Sequence, residues 1–174
     1  MIYSMRKIFI IISLCCLVCN GLHAQSLGKM TLGCKRSEIP YNLPTGFSVC
    51  KNNSPSQLTY ATSKGDEFVS FYLKDYVVYK IEMHKYVGYG SDPNLITSKL
   101  EEIIMELYDS WGEPSYVGEN IYWQFPGSKA TFSYTVSTSQ AVMDPLRYSG
   151  SYAVTTFYKC YADIKLEKKG NLFE

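Results

Sequence analysis

The sequence predicts a single α+β domain, in which an antiparallel sheet of about six strands carries one long amphipathic helix on one face. Three observations support this fold class. Residues 92–112 have the apolar period of a helix, several other segments alternate as strands do, and short turn motifs separate successive strands. The domain is expected over residues 25–174, a length that can bury one hydrophobic core.

The helix has the clearest boundaries. Asp92 is a favourable N-cap residue, Pro93 suits the first helical position, and Gly112 followed by Pro114 ends the run. Apolar residues recur on one stripe, at Ile96, Leu100, Ile103, Ile104, Leu107 and Trp111. The remaining faces carry charged side chains, which we interpret as the solvated outer surface.

Most of the remaining chain reads as strand, and the predicted strands are 57–62, 67–73, 76–84, 120–125, 130–137 and 151–162. A charged tail, 163–174, follows them. Alternation places Ile121, Trp123 and Phe125 on one face of the sheet. Together with Trp111 on the helix stripe, Trp123 is therefore predicted to lie in the core between helix and sheet.

The two predicted hairpins resemble each other. A shift of 63 residues places Leu58 on Ile121 and Val69 on Phe132. We interpret this as a tandem repeat of a helix-plus-three-strand unit, with repeat 1 at about 28–84 and repeat 2 at about 92–162. The alternative is that any two half-buried hairpins alternate in the same way.

The first 24 residues have the layout of a cleavable signal peptide: a basic start, an apolar run of twelve and small residues up to Ala24. The run is too short to span a membrane, which takes about 20 apolar residues. Leu14, Cys15 and Val18 precede the leader cysteines, where a lipobox needs a small residue, which argues against a lipid anchor. Export to the periplasm or the medium is therefore expected.

Charge and cysteine content exclude several classes of function. Loss of the leader would leave 15 Lys and Arg against 16 Asp and Glu, so there is no basic excess to bind nucleic acid. Cys34 and Cys50 could form a disulfide, or all three remaining cysteines could be reduced. Cys160 is expected as a small buried side chain on a strand. The cysteine spacing matches no metal site, and no cofactor motif is present.

His84 is the one candidate for catalysis. Glu82 lies two residues earlier on the same strand face, so the pair could act as base and orienting group of a hydrolase. No nucleophile motif accompanies them, and a surface histidine is the plainer interpretation.

Tyrosine gives the stronger signal, since fifteen of the 16 tyrosines follow the leader. Tyrosines on the sheet face away from the helix could bind a protein or stack on a sugar, although strand propensity alone also enriches tyrosine. A Gly-rich connector, 85–92, and a long insertion, 138–150, add residue types that are favoured at interfaces. The candidate binding residues are Tyr72, Tyr76 and Tyr122 on the sheet, Tyr86 and Tyr89 in the connector, and Met143, Leu146, Arg147 and Tyr148 in the insertion.

The opening "MTLGCKRSEI", the amphipathic helix ending in "YDSWGEP" and the Trp-bearing strand after it resemble β-lactamase-inhibitor-protein-like secreted modules, as found among exported proteins of Bacteroidetes. The resemblance implies two tandem units of helix and antiparallel sheet, and a non-enzymatic module that binds another protein. No inhibitory residue of that family can be carried over to a position of this chain.

The sequence thus favours a secreted or periplasmic, non-enzymatic binding module whose partner is another protein. The alternatives are a carbohydrate-binding protein of the cell envelope that uses exposed tyrosines, and a hydrolase centred on His84.

Overall fold

The computed structural model describes residues 26–51, 53–143 and 153–169. The expected signal peptide lies outside these ranges. The described chain holds one α-helix, α1 (Pro93–Trp111), and a 3-10 helix (Arg36–Tyr41). The strands are β1 (Ser26–Leu27), β2 (Met30–Thr31), β3 (Phe47–Val49), β4 (Gln57–Thr62), β5 (Phe68–Lys74), β6 (Val77–Gly90), β7 (Tyr116–Val117), β8 (Ile121–Phe125), β9 (Ser128–Met143) and β10 (Ala153–Lys168).

Eight of the strands form one antiparallel sheet in the order β3-β4-β5-β6-β10-β9-β8-β7, while β1 and β2 form a separate hairpin. The order contains two meanders, β3 to β6 and β7 to β10. The last strands of the two meanders, β6 and β10, pair at the centre of the sheet. Helix α1 connects the first meander to the second.

The α+β prediction with about six strands is wrong. Strand makes up 55% of the structure, and the main sheet has eight strands. The excess has two sources. Short edge strands, β3 and β7, were not recognised, and the expected loops at 85–92 and 138–150 begin as continuations of β6 and β9. These segments are strand because each pairs with β10, a long-range contact that a short window of sequence does not contain.

The expected unit of one helix and three strands is also wrong. Within the described chain each meander has four strands, and only the second is preceded by an α-helix. The corresponding position in the first half holds the 3-10 helix, which contains Pro40. Proline lacks the N–H that an α-helix needs in its interior, so a longer helix is disfavoured there.

The two hairpins pair in registers that differ by two residues. Tyr60 lies opposite Val69 in the first hairpin, and Trp123 lies opposite Ala130 in the second. The position equivalent to Val69 is therefore Ala130, and the expected match to Phe132 is displaced. The difference in register arises at the turn of the second hairpin, which is short: only two residues lie between the paired Phe125 and Ser128.

The prediction for the helix is confirmed at both ends. Asp92 is the N-cap and accepts a hydrogen bond from the backbone N–H of Asn94, and Pro93 is the first helical residue. Gly112 ends the helix with a φ of 75°, a conformation that glycine adopts without steric cost. Five of the six residues of the predicted stripe are buried, namely Ile96, Leu100, Ile103, Leu107 and Trp111. The sixth, Ile104, is partly buried against the core.

Both tryptophans lie in the core, as predicted. Trp123 is 1% exposed, and its ring meets that of Trp111 edge to face with centroids 5.3 Å apart. Each indole N–H donates to a backbone carbonyl at 2.8 Å: Trp111 to Ser26 and Trp123 to Gly112. The first bond ties β1 to the helix, and the second ties the end of the helix to the sheet.

The three described cysteines are free, so the disulfide between Cys34 and Cys50 is not formed. The backbone of Cys34 bonds to Val78 in β6, whereas that of Cys50 bonds to Thr59 in β4. Strand β5 separates β4 from β6, and this spacing is unsuited to a disulfide. Cys160 is fully buried on β10, as predicted.

Candidate functional site

The face of the sheet opposite α1 is the candidate site, and we call it the open face. Alternation along the central strands defines it. Met83 of β6 and Ile164 of β10 line a cavity of about 650 Å³ together with helix residues Ile103 and Leu107, so they point to the covered face. Their chain neighbours, including His84, therefore point to the open face.

A row of stacked rings crosses the centre of the open face. His84 lies between Phe68 of β5 and Tyr161 of β10, with centroid distances of 4.8 and 4.6 Å and interplanar angles of 17° and 23°. Tyr86 meets Tyr161 edge to face at 5.7 Å. The ammonium of Lys159 lies 5.1 Å from the Tyr161 ring. We call these four rings the aromatic row.

A second aromatic contact extends the row towards the end of β6. Tyr89 and Phe157 stack at 5.3 Å with their planes only 8° apart, and Tyr89 is 55% exposed. This half of the open face thus carries two groups of rings, the aromatic row and the Tyr89–Phe157 stack, with Lys159 between Tyr161 and Phe157 along β10. Together we call them the aromatic surface.

Charged side chains occupy the other half. Glu82 accepts a hydrogen bond from the Tyr72 hydroxyl at 2.7 Å and one from the Lys80 ammonium at 2.9 Å. The same ammonium lies 3.7 Å from the centre of the Tyr72 ring. On the neighbouring strands Glu167 pairs with Lys165 at 2.9 Å and with Lys129 at 2.8 Å. We call this set the charged ladder.

The ladder shifts the pKa values of its members. Burial, followed by the hydrogen bond to Glu82, raises the pKa of Tyr72 to about 12. Burial by itself would raise the pKa of Glu82, but the hydrogen bonds from Tyr72 and Lys80 outweigh it, so the pKa of Glu82 is lowered. Glu167 behaves in the same way: burial raises its pKa, and the bonds from Lys129 and Lys165 lower it further than burial raises it. The carboxylates of the ladder are thus held ionised.

His84 is paired with Asp163 and not with Glu82, the partner that the sequence suggested. Its Nδ1 lies 2.7 Å from Oδ1 of Asp163 and donates to it, because a carboxylate can only accept. Glu82 is bonded to the ladder. Ser133 lies across from Asp163 on β9, so Asp163 stands between that hydroxyl and the imidazole. Among the described residues, no hydroxyl or thiol bonds to His84.

The structure brings together only some of the tyrosines that the sequence singled out. Tyr86 and Tyr89 lie in the aromatic half of the open face, and Tyr72 lies in the charged ladder. Tyr122 is on the same face but on β8, four strands from β5 and therefore about 19 Å away at the usual strand spacing. Tyr76 is in the β5–β6 turn with a φ of 63°, and is 69% exposed.

The predicted insertion is only partly described. Met143 ends β9, where it pairs with Ala153. Leu146, Arg147 and Tyr148 lie outside the described residues.

Several residues of the open face escaped the sequence analysis. Phe157 and Tyr161 are on a predicted strand but were not assigned to a face, and Asp163 was assigned to the charged tail. Strand β10 in fact continues to Lys168. The signal was present in the alternation, since apolar residues continue at Ile164 and beyond on every second position.

Within the described ranges, no group of three or more His, Cys, Asp or Glu side chains is placed to hold a metal ion. None of the helices there is both long and apolar enough to cross a membrane. The sequence matches no family model and no curated protein.

Proposed function

We propose that the protein is an exported, non-enzymatic binding module that takes a protein partner on the open face of its sheet. The observation that carries the proposal is the aromatic surface formed by the aromatic row with Tyr89 and Phe157. The expected signal peptide supports export, and the resemblance to inhibitor-like modules is in keeping with a protein partner.

The composition of this face supports a protein partner. Interfaces between proteins have an aromatic centre and a polar rim, and their strongest contacts come from tyrosine, tryptophan and arginine. Here the aromatic surface adjoins the charged ladder on one side. On the other side β9 contributes hydroxyl side chains at Thr135, Ser137 and Ser139 opposite Tyr161, Lys159 and Phe157.

The way the rings pack weighs against the glycan alternative. A sugar binds an aromatic ring by stacking on its face. Both faces of His84 are covered, by Phe68 and by Tyr161, and each ring of the Tyr89–Phe157 stack covers one face of the other. The stacking thus leaves His84 without a free ring face and Tyr89 and Phe157 with one each, so fewer ring faces are open to a sugar than the number of rings suggests.

The hydrolase alternative has less support. A nucleophile must lie within hydrogen-bond reach of its base. The described contacts of His84 are with two aromatic rings and a carboxylate. Thr131 and Ser133 line the same cavity as His84, but neither hydroxyl is hydrogen-bonded to the imidazole, so neither is placed as an activated nucleophile within the described chain.

Affinity capture followed by titration tests the proposal. The purified protein is immobilised, exposed to envelope extract and culture medium of the source organism, and the captured protein is purified and titrated. Changing Tyr89 and Phe157 together to Ala should weaken its binding by about 30-fold or more, since the loss of even one strong interface contact costs about 2 kcal/mol.

Tyr41→Ala is the matched control, because Tyr41 is 85% exposed on the 3-10 helix and lies away from the open face. Equal binding by this control and by the double variant would overturn the open face as the site. A glycan array provides the other arm: glycan binding that is lost in the double variant, without a protein partner, would replace the proposal with the carbohydrate alternative.

A further inference from the structure

Strand β9 has a long free edge. It pairs with β10 along its whole length, from Ser128 to Met143. On its other side it pairs with β8 only as far as Phe132. From Ser133 onward no described strand occupies the β8 side, so the backbone N–H and C=O groups that point there are available for pairing.

The composition of this edge is unusual for a free strand. Residues 133–143, "SYTVSTSQAVM", contain no charged residue, proline or glycine. Proteins protect free edges by keeping them short or by placing charges and prolines on them. The two terminal strands of the sheet follow that rule, since β3 has three residues and β7 has two. The β9 edge is both long and unprotected.

An apolar groove lies beside the edge on the covered face. Tyr134 and Val136 of β9 are 52% and 43% exposed, although their position in the alternation is that of core residues. They line a cavity of about 380 Å³ together with Ile96, Leu100 and Ile104 of α1. An additional strand next to β9 would cover this groove with its inward side chains.

We infer that the free edge of β9 pairs with the same edge of a second copy of the chain, antiparallel and about a twofold axis. Antiparallel pairing over the whole of residues 133–143 puts the twofold axis at Thr138, so Val136 of one copy lies opposite Gln140 of the other. The inward side chains at Thr138 and Gln140 are uncharged, and the outward ones at Thr135, Ser137 and Ser139 are small hydroxyls, so neither face sets a charge against the partner strand. The same segment can therefore serve both as the edge and as the added strand.

The absence of charged residues from 133–143 favours a second copy of the chain as the partner of this edge. In a twofold interface the same residues of both copies come close together, and like charges placed opposite each other destabilise a strand pair. An edge designed for a charged partner segment would carry the opposite charge. An edge with no charge over residues 133–143 pairs with its own copy without repulsion. The resulting dimer would join two sheets into one continuous sheet.

Sedimentation of the purified full chain over a concentration series tests the inference. As the concentration rises, the molecular mass measured for the wild-type protein should increase from that of a monomer to that of a dimer. Changing Val136 and Gln140 together to Lys should raise the dimer dissociation constant about tenfold or more, because like charges then face each other across the axis. The Val136→Glu, Gln140→Glu variant should behave likewise. An equimolar mixture of the two variants should recover dimers, since their charges are then complementary.

Met105→Lys is the control, because Met105 is exposed on α1 away from the edge. It should dimerise as the wild type does, and near-ultraviolet circular dichroism should show every variant folded. Three outcomes would overturn the inference: a wild-type protein that stays monomeric throughout the micromolar range, a dimer that the Lys variant leaves unweakened, or a mixture that fails to recover dimers. None of them affects the proposed binding on the open face.

Discussion

The two faces of strand β10 are built from alternate residues of one segment, and each reaches stability by different contacts. On the covered face Cys160, Ala162, Ile164 and Leu166 are removed from water beneath the helix. On the open face the intervening side chains are Tyr161, Asp163, Lys165 and Glu167, and each has a named partner on a neighbouring strand or on β10 itself. Apolar burial holds the first face, and mutual pairing of rings and charges holds the second.

An exposed sheet face can thus be well ordered without a layer on top of it. Its rings stack on one another and its charges are paired, so the face is organised before any partner arrives. A preorganised surface loses less conformational freedom on binding.

Truncation on the covered face should be the most damaging change. Trp123→Ala is expected to lower the free energy of unfolding by about 3–5 kcal/mol, because it removes a buried ring that packs on Trp111. Tyr122 adjoins Trp123 in the sequence, but its side chain lies on the open face. Tyr122→Ala should lower the free energy of unfolding by about 1 kcal/mol or less. Urea denaturation followed by circular dichroism measures both. Equal costs for the two variants would show that the faces do not differ as described.

Removal of the central ring of the open face should have a moderate effect. His84→Ala deletes two stacked contacts and the hydrogen bond to Asp163, and is expected to cost about 1–2 kcal/mol. His84→Phe keeps the stacking and loses only the hydrogen bond, so its cost should be smaller. A larger cost for Phe than for Ala would contradict the view that stacking dominates. Thermal and urea unfolding of both variants provide the measurement.

Glu82→Gln should have a small effect that depends on pH. The pKa of Glu82 is lowered in the fold, so its contribution is present above the ordinary glutamate pKa of about 4.3. That contribution is lost as the pH falls through the folded value. We expect the variant to be less stable at neutral pH by under about 1 kcal/mol, in line with exposed ion pairs. The difference should disappear in acid. Urea unfolding between neutral and acid pH checks this, with Glu101→Gln on the outer face of α1 as control.

Tyr72→Phe should give the smallest effect on stability but a clear spectroscopic one. The raised pKa of Tyr72, about 12, favours its neutral form in the fold. Its contribution is complete below the unfolded tyrosine pKa of about 10 and is lost as the pH rises towards the folded value. When the tyrosines are titrated at alkaline pH and followed by absorbance, Tyr72→Phe should therefore lack one transition that the wild type shows at high pH. In Glu82→Gln the same transition should move to lower pH, because the acceptor carboxylate is gone. A late transition unchanged in both variants would remove Tyr72 from the ladder.

Local signals in the sequence were sufficient for much of the covered face. The helix boundaries at Asp92 and Gly112, the burial of both tryptophans and the burial of Cys160 were all predicted correctly. Each depends on short-range chemistry: a capping side chain, a proline at the first position, or a period of 3.6 or 2 residues.

The open face was predicted less completely. Tyr86 and Tyr89 of β6 were singled out as loop residues, and Asp163 was taken as part of a tail. Both segments are strand because they pair with partners about 75 residues away along the chain, as His84 does with Asp163. The partner of His84 could not be found from sequence spacing, since it depends on which strands become neighbours.

By itself the sequence determined which segments alternate, where the helix begins and ends, and which side chains are apolar enough to form the core. Tertiary structure alone decided the strand order, the length of β6, β9 and β10, the stacking of His84 between Phe68 and Tyr161, and the free edge of β9. The physical reason is the distance along the chain over which each interaction acts. Capping and periodicity act within a few residues, whereas the central pairing of β6 with β10 joins the ends of two meanders. That pairing brings His84 to Asp163 and Tyr161.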